Sequence, residues 1–260
     1  MMEQQPPSAR PRPKGIYLLP NLFTSGGLFA GFYAIIAATQ GRFSDAAIAV
    51  FIAAVLDGLD GRVARMTGTQ SDFGVQYDSL ADLVSFGMAP ALVMYHWALV
   101  ELQFDGPIPG KIGWSAAFLY AACAALRLAR FNTQVGVVDK RWFIGLASPA
   151  AAAVMMSFVW TLDSRFNFTG GQVRWIALGV TVIAGLLMVS RIRYFSFKSL
   201  PFGGRVPFMA VLLALLILVL LAIDPPRVLL VGCTVYLLSG PLYWAISRIR
   251  RPRASSSASG

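Results

Sequence analysis

Apolar residues in this chain come in long unbroken runs, without the strict alternation of a half-buried strand. The runs fall at about 22–39, 44–63, 77–99, 112–129, 145–163, 174–190, 207–223 and 228–246. A helix needs about 20 apolar residues to cross roughly 30 Å of hydrocarbon, and these runs are of that order. Nothing in them has the period of two that a membrane barrel requires. The pattern therefore predicts an all-α fold, a polytopic membrane helical bundle of about eight transmembrane helices. Most polar breaks between runs are bland. The exception is DGLDGRVARMTGTQSDFGVQYDSLAD at 57–82, where polar residues reach into the second and third runs.

The two ends carry a different pattern. The opening MMEQQPPSARPRPKG is proline-rich and basic, with no short apolar region and cleavage site after it, so residues 1–14 are expected to be a flexible cytoplasmic lead-in. GIYLLP is expected to lie along the interface, since Pro20 discourages a helix running straight through from residue 15. Residues 248–260, ending in SSSASG, read as a basic disordered tail. Cys123 and Cys233 each fall inside an apolar run and are expected to be buried free thiols.

A mean hydropathy of +0.64 excludes an ordinary soluble domain. The net charge of +10 raises the question of a nucleic-acid partner, and its distribution answers it. With eight spans both termini share one side. Of the 22 lysines and arginines, all but Arg42, Lys111, Arg165, Arg174 and Arg227 fall on that side. Such an asymmetry predicts that both termini face the cytoplasm, where the basic residues also attract anionic headgroups. Membrane lipid, not nucleic acid, is the expected surface.

Five of the 12 acidic residues, Asp57, Asp60, Asp72, Asp78 and Asp82, crowd into the polar window. Asp57, Asp60, Gly61, Ala64 and Arg65 share one helical face, and Asp78 and Asp82, spaced i, i+4, share another with Gly74 upstream. Two antiparallel helices joined by MTGTQSDFG aim four carboxylates at one point. Asp72 is off this register and is expected in an exposed turn. Four ionised aspartates at the bilayer centre would cost roughly 10 kcal/mol on an insertion scale, and they repel one another unless a cation lies between them. All-oxygen ligands select hard divalent ions, Mg²⁺ or Mn²⁺, and a shared carboxylate suits a two-metal centre acting on phosphate oxygens. Gly58, Gly61, Gly68 and Gly74 either allow a ligand close to the backbone or serve tight helix packing.

The spacing Asp57-x2-Asp60-Gly61-x2-Ala64-Arg65-x8-Gly74-x3-Asp78-x3-Asp82 resembles the full signature of the CDP-alcohol phosphatidyltransferases. PNLFTSGGLFAGF, YDSLADLVSFGMAPALVMY, ALRLARFN and GLASPAAA are similar to the bacterial membrane-embedded phosphatidylserine synthase branch, over about residues 15 to 210. The resemblance implies a six-helix core, with two additional helices at the C-terminal end. The expected organisation is 1–14 leader, 15–205 catalytic membrane core, 206–247 additional helices and 248–260 tail.

It also implies a reaction, transfer of the phosphatidyl group from CDP-diacylglycerol to L-serine with release of CMP, at the inner membrane of the cell and on its cytoplasmic face. Asp57 and Asp78 would each touch both metals, Asp60 would complete one site and Asp82 the other, and Asp82 would take the acceptor's proton. Asn21, Thr24, Gly61, Arg65, Ser71 and Gly74 would line the CDP side, with Arg65 on the diphosphate. Arg127 and Arg130, with Asn132 and Ser148, are the candidates for acceptor carboxylate or phosphate, against plain positive-inside anchoring. His96, the one histidine, is expected to be structural. The motif does not choose among serine, glycerol 3-phosphate and inositol, and it leaves a homodimer open. A divalent-cation transporter is the other class considered, disfavoured because the acids cluster at one membrane face and no inverted repeat is visible.

Overall fold

The computed structural model describes residues 18–68, 71–134, 142–195 and 208–249. The leader, most of the tail and the connectors holding Lys140, Arg141, Lys198 and Arg205 lie outside the described residues. The order is α1 (Leu18–Thr39), α2 (Phe43–Thr67), α3 (Asp72–Asp82), a π-helical segment (Leu83–Met88), α4 (Ala89–Trp97) and a 3₁₀ segment (Leu99–Asp105). There follow α5 (Pro107–Gln134), β1 (Trp142–Ile144), α6 (Ser148–Ser164), α7 (Gly170–Val189), β2 (Arg193–Phe195), α8 (Phe208–Ile223) and α9 (Pro225–Ile249). The run from Asp72 to Asp105 is one continuous rod, so the eight predicted spans correspond to eight long helical bodies.

Local chemistry sets most boundaries. Pro20 lies in the first turn of α1, where no helical carbonyl awaits its missing N–H, so the helix starts at Leu18 and runs through it. The first span therefore starts at Leu18, earlier than the expected residue 22. α2 ends on Gly68, left-handed at φ 62°, with its N–H on the Ala64 carbonyl. Ser71 caps α3, its hydroxyl accepting the Gly74 N–H at 3.0 Å. The third span therefore begins at Asp72, earlier than residue 77, and Asp72 occupies the first exposed turn of a helix. The pair β1–β2 is an antiparallel addition to the all-α expectation. Cys123 is buried as expected, while Cys233 is only half-buried.

Five bodies are long and apolar enough by themselves to cross a membrane: Pro20–Thr39, Asp72–Asp105, Pro107–Thr133, Gly170–Val189 and Pro225–Ile246. α2 carries the acidic motif, and α6 and α8 have 17 and 16 residues. The chain is a polytopic helical membrane protein. Its core is rich in alanine, including Ala34, Ala37, Ala46, Ala47 and Ala53, which lets helices approach closely where lipid offers no hydrophobic drive to associate. α8 buries none of its residues, as expected of a helix wrapped in acyl chains.

Packing leaves a gap where the chemistry lies. α1 packs along α2 and also against α3 and the π-helical segment, whereas α2 and α3 make little direct backbone contact. α1 thus forms the floor of a cleft whose walls are the two acidic helices.

Candidate functional site

Asp57 and Asp60 lie on α2, and Asp78 and Asp82 on α3. At 1.5 Å per residue, Asp60 and Asp78 both stand about 10 Å from the turn that joins the two helices, with Asp57 and Asp82 one turn deeper. Antiparallel helices bring such equidistant positions level. Carboxylate oxygens of Asp57, Asp60 and Asp78 lie within 4.8 Å of one another, and the Asp82 carboxyl is hydrogen-bonded to that of Asp57. Two carboxyls make that contact only with a proton or cation between them. Asp57, Asp60, Asp78 and Asp82 line a narrow cleft with Thr24, Gly27, Ala53, Ala81, Ser85 and Phe86.

α1 holds the walls in place. Thr24, buried, donates to Asp60 Oδ2 at 2.8 Å. Ser25 and Tyr77 share a hydrogen bond at 2.8 Å, and the Ser85 hydroxyl donates to the Gly27 carbonyl at 3.1 Å. Asp60 is 5% exposed, and one of its oxygens is fixed by Thr24 while the rest of the carboxylate faces the cluster. A set of four carboxylates with no nitrogen or sulfur ligand fits a hard divalent cation.

Gly58 and Gly61 are not packing glycines, whereas Gly74 is closely approached. A Cβ at Gly58 would meet nothing within 4 Å, and at Gly61 only the end of the Arg65 side chain, 3.6 Å away. At Gly74 it would lie 3.2 Å from Ser71 Oγ and 3.7 Å from Asn21 Oδ1. Gly61 with Arg65 thus forms an open edge beside the acids, while Gly74 lies close against Ser71 and Asn21. Ser71 has one lone pair committed to the helix cap.

The residues expected to meet the acceptor separate into two groups. Arg127 Nη1 donates to the buried Ser148 hydroxyl at 2.9 Å. Among the described residues its Nε is buried without a hydrogen-bond partner, and Asp82 is among the charged groups that act on it. Arg127 is thus coupled electrostatically to Asp82, but neither Arg127 nor Ser148 is among the residues that line the cleft. Asn132 is instead committed to Ser79 of α3, donating at 3.0 Å, and the Arg130 side chain shows no partner among the described residues. His96 lines a separate, wide cavity with Glu101 and Asp163, roughly 20 Å along the rod from Asp82 by helical rise.

Sequence reasoning missed Ser25, Tyr77, Ser79 and Ser85. Tyr77 and Ser79 flank Asp78, and their position inside the motif was a usable signal. Ser85 has none, since its partner is a backbone carbonyl.

The chain is similar to known proteins over most of its length. Residues 17–187 match the family described as CDP-alcohol phosphatidyltransferase. The chain is 39% identical over 235 residues to the CDP-diacylglycerol–serine O-phosphatidyltransferase of Helicobacter pylori strain J99, covering 90% of this chain and 94% of that protein. It is 34% identical over 191 residues to the protein of the same name from Methanocaldococcus jannaschii, covering 74% and 80%. The archaetidylserine synthase of Methanothermobacter thermautotrophicus is 33% identical over 178 residues, covering 68% and 69%.

Proposed function

This chain belongs to the CDP-alcohol phosphatidyltransferase family, and from that premise we propose that it transfers the phosphatidyl group of CDP-diacylglycerol to the hydroxyl of L-serine. The serine oxygen bonds to phosphorus, the phosphorus–oxygen bond to CMP breaks, and the hydroxyl proton passes to the protein. The observation that carries the acceptor assignment is Arg127. Its guanidinium, with an Nε buried and unpartnered among the described residues and with Asp82 acting on it, supports a carboxylate receptor near the candidate base. Serine offers a carboxylate and a hydroxyl on adjacent carbons, which such a pair can hold together.

In this reading Asp57, Asp60, Asp78 and Asp82 would hold divalent ions, Mg²⁺ or Mn²⁺, two to a site. Bound there, such ions would supply positive charge to the diphosphate oxygens and to departing CMP. Thr24 keeps Asp60 oriented. Arg65, on the open edge over Gly61, takes the diphosphate, and Asn21, Ser71 and Gly74 border the nucleotide side. Asp82 accepts the proton, which the weakly nucleophilic hydroxyl must lose during attack. The acyl chains stay in the bilayer, so the cleft opens at the interface. Orientation follows the charge asymmetry, with this end at the cytoplasmic face of the cell membrane.

Release of CMP from CDP-diacylglycerol, measured on the purified chain with L-serine, glycerol 3-phosphate or inositol, tests the reading. Serine-dependent release that stops in EDTA and returns with Mn²⁺ or Mg²⁺ is expected. Release driven by glycerol 3-phosphate or inositol but not serine would overturn the acceptor, and undiminished release in excess EDTA would overturn the metal.

A further inference from the structure

Two consecutive residues of α1 reach the two walls of the cleft. Thr24 donates to Asp60 of α2 at 2.8 Å, and Ser25 shares a hydrogen bond with Tyr77 of α3, also at 2.8 Å. Neighbouring positions of a helix point about 100° apart, so adjacent side chains address different partners. Ser25 has one proton, and it goes to the Asn21 carbonyl at 2.8 Å. The Tyr77 phenol is therefore the donor in the second tie. Its ring is stacked with that of Phe73, centroids 5.9 Å apart and planes 14° from parallel.

Deeper in the cleft the rod is held by packing. The Ser85 hydroxyl donates to the Gly27 carbonyl, and a Cβ on Gly31 would lie 2.7 Å from the Ser85 Cα, so α1 and the rod are already in close contact there. The two walls make little direct contact with each other. Ser79 ties α3 to Asn132 of α5, a bond that does not span the cleft. At the shallow end, where Tyr77 precedes Asp78, the phenol bonds α3 to α1. Without it the rod can pivot outward about Ser85 and carry Asp78 away from Asp57 and Asp60. Ion size is sensitive to such a movement, because opposite ligands stand apart by twice the ion–oxygen distance, about 4.1 Å for Mg²⁺ and roughly 4.6 to 5.2 Å for Ca²⁺. Carboxylate oxygens of Asp57, Asp60 and Asp78 within 4.8 Å of one another accommodate the smaller ion, and widening moves the site toward the larger.

We propose that Tyr77 is a positioning residue that sets the width of the cleft from α1, and so makes the carboxylates discriminate against cations larger than Mg²⁺ and Mn²⁺, such as Ca²⁺. The inference rests on the metal reading above. It goes from which residues hold the ion to what fixes the size of ion they accept.

Mn²⁺ binding by the purified full chain in detergent, without substrate, provides the test. It is read from the electron paramagnetic resonance signal of free Mn²⁺, and then from displacement of bound Mn²⁺ by Ca²⁺. Tyr77→Phe keeps the ring and its stacking with Phe73. It should weaken Mn²⁺ binding about three- to tenfold, the range of one lost hydrogen bond, and narrow the preference for Mn²⁺ over Ca²⁺ by a similar factor. Ser25→Ala should do the same, and the double variant should be no worse than the worse single one, because both remove one bond. Ser79→Ala cuts the tie of α3 to α5 and spares the one to α1, so it should lower thermal stability and leave the ion preference at its wild-type value. No weakening in Tyr77→Phe, equal weakening of both ions, strictly additive effects in the double variant, or the same loss of preference in Ser79→Ala would overturn the proposal. A wild-type chain that binds no Mn²⁺ would overturn the metal reading and the proposal with it, whereas the other failures leave that reading standing.

Discussion

A methyl group added at Gly31 would land 2.7 Å from the Ser85 Cα, whereas one added at Gly58 would meet nothing within 4 Å. The two glycines look alike in sequence and have opposite physical roles. Gly31→Ala should force α1 away from the π-helical segment and cost stability, of the order of 1–3 kcal/mol for overpacking. Gly58→Ala should be neutral or stabilising by up to about 1 kcal/mol from helix propensity, and any activity it loses reports on ligand approach. Thermal denaturation alongside CMP release separates the outcomes. The same pairing of readouts applies to Asp82→Asn, which should bind CDP-diacylglycerol better than Asp57→Asn yet turn over at least a hundredfold more slowly than wild type, the usual range for a lost general base. Near-wild-type turnover in Asp82→Asn would reassign the base. The acids were legible because their spacing repeats the helical period on both sides of a turn. Gly31 was not, because its neighbour Ser85 lies on another helix and no local pattern announces it.

Among the elements, the bundle twice resolves the same difficulty. Pro90 and Pro241 each deprive a carbonyl four residues earlier, Phe86 or Leu237, of a helical N–H. In each case a fully buried tyrosine from another element donates its hydroxyl instead, Tyr120 at 3.1 Å and Tyr194 at 3.2 Å. Lipid offers such carbonyls no water, so the tyrosines replace solvent. Tyr120→Phe should therefore lower stability by about 1 kcal/mol, beyond what loss of the oxygen's contacts explains, and thermal unfolding in detergent would show it. The existence of eight helical bodies was legible from apolar run length alone. Their ends were misplaced wherever a polar cap extends a helix past its apolar run, as Ser71 does for α3. The strands β1 and β2, three residues each, are too short to show alternation. They are imposed from outside, through Gly145 at φ 82°, where a Cβ would run into the Met188 carbonyl.

Across the whole molecule, charge is arranged by pairing as well as by number. The ion pairs Arg42–Asp45, Arg165–Asp224, Arg174–Asp105 and Arg227–Asp224 all lie at the end opposite the carboxylate cluster. Three carboxylates, with Asp224 shared between Arg165 and Arg227, thus offset most of the charge of four of the five cations assigned to that side. At the carboxylate end Arg62, Arg65, Arg130 and Arg191 form no ion pair among the described residues, so their charge is available to lipid and substrate. Single cysteines introduced into intact cells test the implied orientation. Ile108→Cys, exposed at the start of α5, should react with an impermeant maleimide, while Gln5→Cys and Ser255→Cys should be protected. Labelling of both termini from outside would invert the topology.

The π-helical segment within the long rod has a hereditary consequence. There the Ala89 N–H reaches back five residues, to Val84, so the turn holds one residue more than an α-helix would. Removing any single codon between Leu83 and Met88 would let the rod close into regular helix with α4 still in phase with the carboxylates, since the wider turn sweeps six residues through about the angle that five cover in an α-helix. Removing one from the α-helical stretches on either side would instead rotate the remainder by about 100°. A deletion scan along the rod should accordingly find these six positions the most forgiving, whereas their substitution still disturbs single contacts such as that of Ser85 with Gly27. The spare residue is the one length the rod can give up without turning its far half against the acids.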